Sequence, residues 1–252
     1  MGSSTIFYRG RYILDAIYDD LFSQHSLGAA DTVLVSGCSA GGLAVYINIE
    51  HVEARIKAVN PATRVLGVPG AGFFMGEAKP YSGSGYLANY QWVFESQNVS
   101  ASLNSACMAA KSASQDQWRC FIAPDTLPYI QTPLFISNSL TDAWQAGAIM
   151  GLGCNPSSST SCSAAQVAYI SEFRTQMLAA LAPVLAPGSP HGGFLQGCFV
   201  HVVEDVGGFN SRPLVQNQTQ AQTLAAWIGG AGAPDGLPTV VGTFPPWSNP
   251  TC

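Results

Sequence analysis

Residues 35 to 42 read Val-Ser-Gly-Cys-Ser-Ala-Gly-Gly, and within them Gly37-Cys38-Ser39-Ala40-Gly41 fits the pattern G-x-S-x-G. In that pattern a serine occupies a sharp turn between a strand and a helix, with its hydroxyl held clear of both. The glycines on either side keep Cβ atoms out of a crowded turn. A hydroxyl at its ordinary pKa is a poor nucleophile, so Ser39 needs a base within hydrogen-bond reach and an acid to orient that base. The Ala40 backbone N–H, at the start of the helix, is placed to donate to an oxyanion forming on a substrate. The alternative reading is a glycine-rich turn capped by a serine.

Four histidines can supply the base. His25 falls in the turn before the nucleophile strand, His51 inside the helix after it, and His191 in a Gly-Ser-Pro-His-Gly-Gly loop, so each reads as an ordinary surface or core histidine. His201 follows a late strand-like segment and is the candidate base. The stretch Pro133-Leu-Phe-Ile-Ser-Asn-Ser139 reads as a strand and delivers Asp142 just past its carboxyl end, which makes Asp142 the candidate orienter. Asp125 lies before that strand, and Glu204 and Asp205 crowd His201, so these three read as surface charges. The order Ser39, Asp142, His201 is that of nucleophile, acid and base in α/β-hydrolases.

The elements that must position these residues follow from periodicity. Ile13, Leu14, Ile17 and Leu21 recur at helical spacing across residues 11 to 24, and the reading is an amphipathic helix. Thr32 to Ser36 is a short β-branched run expected to be a buried parallel strand, followed by a helix from about Ala40 to Val59. Further strands are expected at Arg64 to Val68, Pro133 to Ser137 and Cys198 to Val203, with a helical stretch from Ala164 to Leu185. Tyr81 to Tyr86 and Asn155 to Thr160 read as surface loops. Strands alternating with helices imply an α/β fold with a parallel sheet, and such sheets build their sites beyond the carboxyl ends of the strands.

The 252 residues suit one domain spanning 1–252. Ten basic and fifteen acidic side chains give a net charge of −5 with no basic cluster, which argues against nucleic acid or an anionic membrane surface as a partner. No apolar run is long enough to span a bilayer. Charged residues make up 10% of the chain, as in many secreted proteins with neutral polar surfaces, yet Met1-Gly-Ser-Ser-Thr-Ile6 has neither the basic start nor the apolar run of a signal peptide. Seven cysteines lack C-x-x-C spacing, so a metal site is not expected. Cys107 with Cys120 and Cys154 with Cys162 each bracket a short polar segment that a disulfide could close. Phe73, Phe74 and Trp144 stand near the proposed mouth and could line an acyl pocket or pack on a sugar ring, aromatic core being the plainer reading.

Tyr8-Arg9-Gly10, Leu34 to Leu43, Ala71-Gly-Phe-Phe74, Pro128 to Ile136, Asn138-Ser-Leu-Thr-Asp-Ala-Trp-Gln145, Cys198-Phe-Val-His201 and Asn249-Pro-Thr-Cys252 together resemble the pectin acetylesterase and Notum carboxylesterase family. The resemblance spans nearly the whole chain and places Ser39, Asp142 and His201 on the family's catalytic serine, aspartate and histidine. It implies an α/β-hydrolase-like three-layer sandwich with a mainly parallel central sheet whose N-terminal strands are missing. It implies a secreted or cell-wall enzyme, without cofactor, that removes acetyl groups from a polysaccharide such as pectin. A glycine-rich segment that completes the family's oxyanion hole has no counterpart here, so a weakened or inactive homologue that binds carbohydrate or a partner is the alternative, with a longer-chain carboxylesterase as another. Gly70 stands where relatives often carry aspartate and Val202 where they commonly carry cysteine; Cys38 and Cys198 read as either free or paired with each other, and Cys252 could lack its partner, so the pairing of all three stays open.

Overall fold

A computed structural model describes residues 8–76, 85–155, 162–203, 208–230, 239–243 and 249–252. Along them run α1 (Gly10–Gln24), β1 (Thr32–Cys38), α2 (Ala40–Val59), β2 (Arg64–Gly70), α3 (Tyr86–Gln97), α4 (Ser105–Ala110) and α5 (Ala123–Thr126). Then come β3 (Phe135–Ser139), α6 (Ala143–Ala148), α7 (Ala164–Ala180), α8 (Ala182–Leu185), β4 (Gly192–Gln196), α9 (Gln220–Gly230) and β5 (Thr239–Val241). Among the described residues the five strands form one sheet in the order β1-β2-β3-β4-β5, and every pairing is parallel.

Adjacent strand residues face opposite sides of the sheet, and the core divides accordingly. Val65, Ile136 and Leu195 join one cluster with Leu43, Tyr46, Ile49 and Ile56 of α2 and Ile170, Phe173 and Met177 of α7. Their neighbours Leu66, Phe135 and Phe194 join a second cluster under Trp227 of α9. The result is three layers, helix on sheet on helix, as an α/β-hydrolase-like fold requires. Burying each large apolar side chain contributes roughly 1.5–3 kcal/mol. Pro183, which lacks an N–H, separates α8 from α7 within the stretch expected to be one helical segment.

Three expectations are corrected. The late strand is Gly192–Gln196, and Cys198 to Val203 form the loop beyond it. Its glycine is required: a Cβ at Gly193 would sit 2.9 Å from the Ile136 carbonyl oxygen across the sheet. β1 is an edge strand among the described residues, with Leu34 42% exposed, because only one neighbour pairs with it. On α1, Leu14 and Leu21 pack toward the core and Tyr18 is buried, whereas Ile13 and Ile17 face outward. Polar contacts hold this helix instead: Arg55 of α2 pairs with Asp15 and Asp19, His51 Nε2 lies 2.6 Å from Asp15, and Arg11 donates to Asn48 at 2.7 Å. The Tyr81–Tyr86 and Asn155–Thr160 loops lie almost wholly outside the described residues, as do Glu204 and Asp205.

Disulfides join Cys107 to Cys120 and Cys154 to Cys162, as the spacing suggested. A third joins Cys198 to Cys252, so Cys198 is neither free nor paired with Cys38 as expected, and Cys252 has a partner; it ties the C-terminus to the loop after β4, and Cys38 takes no part in the three. Among the described residues no helix is long and apolar enough to cross a membrane.

Glycines set how closely α2 approaches β2. A Cβ on Gly42 would lie 2.4 Å from the Gly70 carbonyl oxygen, and one on Gly72 would lie 2.3 Å from the Gly42 carbonyl carbon. Gly41, by contrast, has open space around its missing Cβ. Gly42→Ala is therefore expected to cost ~3 kcal/mol or more, lowering the thermal midpoint by about 6 °C or more. Gly41→Ala, inside a helix, should leave the midpoint unchanged or raise it slightly. Thermal unfolding of the two variants side by side checks the contrast.

His191 is buried at the start of β4, and its Nδ1 accepts the Leu134 N–H at 3.2 Å. Burial pushes its pKa down to about 4, against weaker opposing effects of Glu50 and an Ile130 backbone hydrogen bond. The unfolded chain therefore binds the proton more readily than the folded one, so His191 removes stability as pH falls from about 6.5 toward about 4. Replacing His191 with Gln should flatten that acid-side loss by about 3 kcal/mol between pH ~7 and pH ~4, as read by denaturant titration at each pH.

Candidate active site

Ser39 links β1 to α2 with φ 57 and ψ −119, a conformation that non-glycine residues seldom adopt. Its N–H donates to the Gly70 carbonyl at 2.8 Å, and its carbonyl accepts the Leu43 N–H at 3.0 Å, so backbone bonds on both sides hold the strained turn. A Cβ on Gly37 would come within 2.6 Å of the Gly41 carbonyl group, which explains the first glycine of the motif. The second glycine, Gly41, carries no such requirement; Gly42 does. Crowding at the turn thus falls one residue later than the motif suggests.

Each of the other residues hangs from the carboxyl end of its strand. Asp142 follows β3, is fully buried, and caps α6 by accepting the Gln145 N–H on Oδ1 at 2.9 Å. His201 stands in the loop after β4, its side chain 21% exposed. Its Nδ1 lies 2.9 Å from Asp142 Oδ2 and 3.1 Å from Oδ1, and its Nε2 lies 2.7 Å from Ser39 Oγ. Nδ1 carries the proton that the acceptor-only carboxylate demands, leaving Nε2 to accept from the hydroxyl. The structure brings together all three residues singled out by strand ends and chain order. Ala40, the first residue of α2, has an N–H that helix geometry leaves without an intrahelical acceptor, next to Ser39.

The other candidates are occupied elsewhere. His25 lies 3.5 Å from Asp20 on the surface, His51 bonds Asp15 between the first two helices, and His191 is in the core. Asp125 pairs with Lys111 at 2.8 Å and Arg119 at 3.0 Å beside the Cys107–Cys120 disulfide, so it is a structural ion pair more than a loose surface charge.

Sequence reasoning missed what supports the site. Fully buried Gln145 accepts the Met75 N–H at 2.9 Å and donates to the Phe73 carbonyl at 3.1 Å. Asn138 accepts the Phe73 N–H at 3.2 Å. These two amides fasten the segment after β2 to the segment carrying Asp142. Ser139 donates to the Cys198 carbonyl at 2.6 Å and Thr141 to the Gly197 carbonyl at 3.1 Å, binding the histidine loop to the same segment. The available signal was the density of short polar side chains in Asn138-Ser-Leu-Thr-Asp-Ala-Trp-Gln145 at a position too buried to leave them unpaired.

Of the three aromatic candidates, Phe73 is fully buried edge-on to Tyr46 and so is core. Phe74 is 4% exposed and its ring lies 6.1 Å from the His201 ring. Trp144 is 41% exposed, with ring centroids 5.8 Å from His201 and 5.0 Å from Phe74. A cavity of about 880 Å³ opens beside Ala40, lined by Tyr12, Leu43, Asn48, Tyr90 and Phe121 among others. Among the described residues, no group of three or more His, Cys, Asp or Glu side chains could hold a metal ion.

Known proteins resemble this chain in sequence and in fold. Pectin acetylesterase 11 of Arabidopsis thaliana is 29% identical over 88% of this chain and 58% of its own length, and pectin acetylesterase 7 of the same plant is 29% identical over 99% and 64%. The chain thus spans about three fifths of the length of these relatives. The structure of the Wnt deacylase Notum from Drosophila superposes with a TM-score of 0.78 over 98% of this chain and 66% of that one; at 23% identity it shows a shared fold. The family model described as Pectinacetylesterase matches residues 1–252, so a strained serine turn, an ordered acid and base, and a match along the entire sequence converge: the chain belongs to the pectinacetylesterase family.

Proposed function

We propose that residues 1–252 form one esterase domain that removes acetyl groups from a cell-wall polysaccharide such as pectin through an acyl-serine intermediate. The observation that carries the reading is the 2.7 Å contact of Ser39 Oγ with His201 Nε2, backed on the far side of the ring by buried Asp142. His201 takes the serine proton as Oγ attacks the acetyl carbonyl carbon, and the carbonyl oxygen becomes an oxyanion that accepts from the Ala40 N–H. The tetrahedral intermediate collapses, the bond to the sugar oxygen breaks, and that oxygen departs with the proton from His201. Water then attacks the acetyl-serine with His201 again as base, releasing acetate and restoring Ser39. Asp142 holds the tautomer and stabilises the imidazolium that forms in each half.

The names of the relatives support pectin as the polymer. Three disulfides support an oxidising compartment, in keeping with a secreted or cell-wall protein.

Ser39→Ala should lower hydrolysis of p-nitrophenyl acetate by roughly 10⁴-fold or more with an unchanged circular dichroism spectrum, and Asp142→Asn should lower kcat by about 10³- to 10⁴-fold. A fluorophosphonate probe should label Ser39 in the wild-type chain and nothing in the alanine variant. Hydrolysis retained in the alanine variant, or folded wild-type protein that resists the probe, would overturn the assignment.

A further inference from the structure

The proposed chemistry gives the site two sides, and one exposed aromatic residue stands beside the imidazole. During acyl transfer the carbonyl oxygen turns toward the Ala40 N–H, at the start of α2. The departing oxygen must lie within reach of His201 Nε2, because that nitrogen returns the proton. The alcohol part of the ester therefore lies along the imidazole, away from the helix end that holds the oxyanion.

Trp144 is the second residue of α6, two positions after Asp142, and its ring is inclined 30° to the His201 ring at 5.8 Å. Phe74 at 5.0 Å and Tyr86 at 6.3 Å pack against it from within. With 41% exposure it still presents a large apolar face to solvent, although burying that face would be favourable. An indole fixed by its neighbours and left open beside the His201 ring is a flat, rigid surface of low conformational freedom. Such a surface complements the C–H face of a pyranose ring, which is apolar while its hydroxyls point outward.

We propose that Trp144 is the platform for the sugar ring that carries the ester, so that it recognises the alcohol half of the substrate and not the acyl half. This rests on the esterase reading for the sense of the two sides, but the binding it describes does not require turnover. Phe74, at 4% exposure, supports the indole from behind and contributes little surface of its own.

Binding and turnover test it separately. In a Ser39→Ala background, calorimetric titration with an acetylated galacturonic-acid oligosaccharide should show binding that weakens about tenfold on Trp144→Ala and mostly survives Trp144→Phe. With Ser39 intact, Trp144→Ala should lower the ratio of kcat/KM for that oligosaccharide to kcat/KM for p-nitrophenyl acetate by about tenfold, through KM. Equal loss on both substrates would reduce Trp144 to a prop for His201 and overturn the proposal. So would affinity unchanged by Trp144→Ala, no binding to the Ser39→Ala protein, or a shift in preference between acetyl and octanoyl p-nitrophenyl esters in place of the sugar effect. Trp144-dependent binding by a wild-type chain that hydrolyses neither ester would sink the esterase reading and leave the platform standing.

Discussion

The approach of α2 to the end of β2 is the constraint on which the site depends. Gly42 and Gly72 meet with no side chain between them, and the Gly70 carbonyl accepts the Ser39 N–H at 2.8 Å. Only at that separation can the chain reverse from strand to helix in a single residue. The reversal forces Ser39 to a φ of 57, which a serine adopts at a cost of order 1–3 kcal/mol when surrounding bonds over-determine it. The strain is maintained by packing far larger than itself, since α2 buries six apolar residues from Leu43 to Ile56 against the sheet and its surroundings. In return the hydroxyl is fixed at the sheet's edge, where it can meet groups arriving from other strands.

Those groups arrive on loops, which are ordinarily the most variable parts of an α/β fold. Here the loops after β2, β3 and β4 are bonded to one another. Gln145 and Asn138 hold the first to the second, and Ser139 and Thr141 hold the second to the third. The Cys198–Cys252 disulfide closes a 54-residue separation and fixes the histidine loop from its far side, worth about 4 kcal/mol in the chain-entropy account. The precision of the Ser39–His201 contact is therefore a property of a polar lattice of short side chains, each buried and each bonded. Removing one partner would leave its mate buried without a bond, which costs more than the bond contributes.

Much of this was legible in the sequence, for identifiable reasons. β1 and α2 were readable because a β-branched run followed by G-x-S-x-G fixes both ends of the turn, and α2 starts and stops where its pattern does. Ser39 and Asp142 were readable from their places just past strand ends, and His201 from chain order and the setting aside of the other three histidines, since the strand expected at Cys198 to Val203 contained it. The last strand was misplaced because its own residues, Gly192-Gly-Phe-Leu-Gln196, look unlike a strand, while Cys198-Phe-Val-His-Val-Val203 look like one. Intrinsic preference lost to packing: Gly193 sits where the Ile136 carbonyl leaves no room for a Cβ. Val202 and Val203 are apolar because the loop they occupy is buried, at 7% and 4% exposure. The partner of Cys198 was not legible, since pairing is set by distances that only the folded chain supplies.

The two histidines that flank β4 show how position sorts identical side chains. His191 precedes the strand, at the amino end of the parallel sheet, where the surrounding elements cover it and offer a backbone N–H to its ring. An imidazole held there as an acceptor is most stable neutral, and it has no open surface from which to act. His201 follows the strand, at the carboxyl end, where the loops diverge and leave its side chain 21% exposed. There a carboxylate fixes one nitrogen and a hydroxyl meets the other, so both protonation states of the ring have partners. In a sheet whose strands all run one way, the carboxyl ends gather at one rim, and a side chain able to exchange protons acquires its partners by lying beyond that rim. Composition alone could not have distinguished these two residues; the direction of the strand between them does.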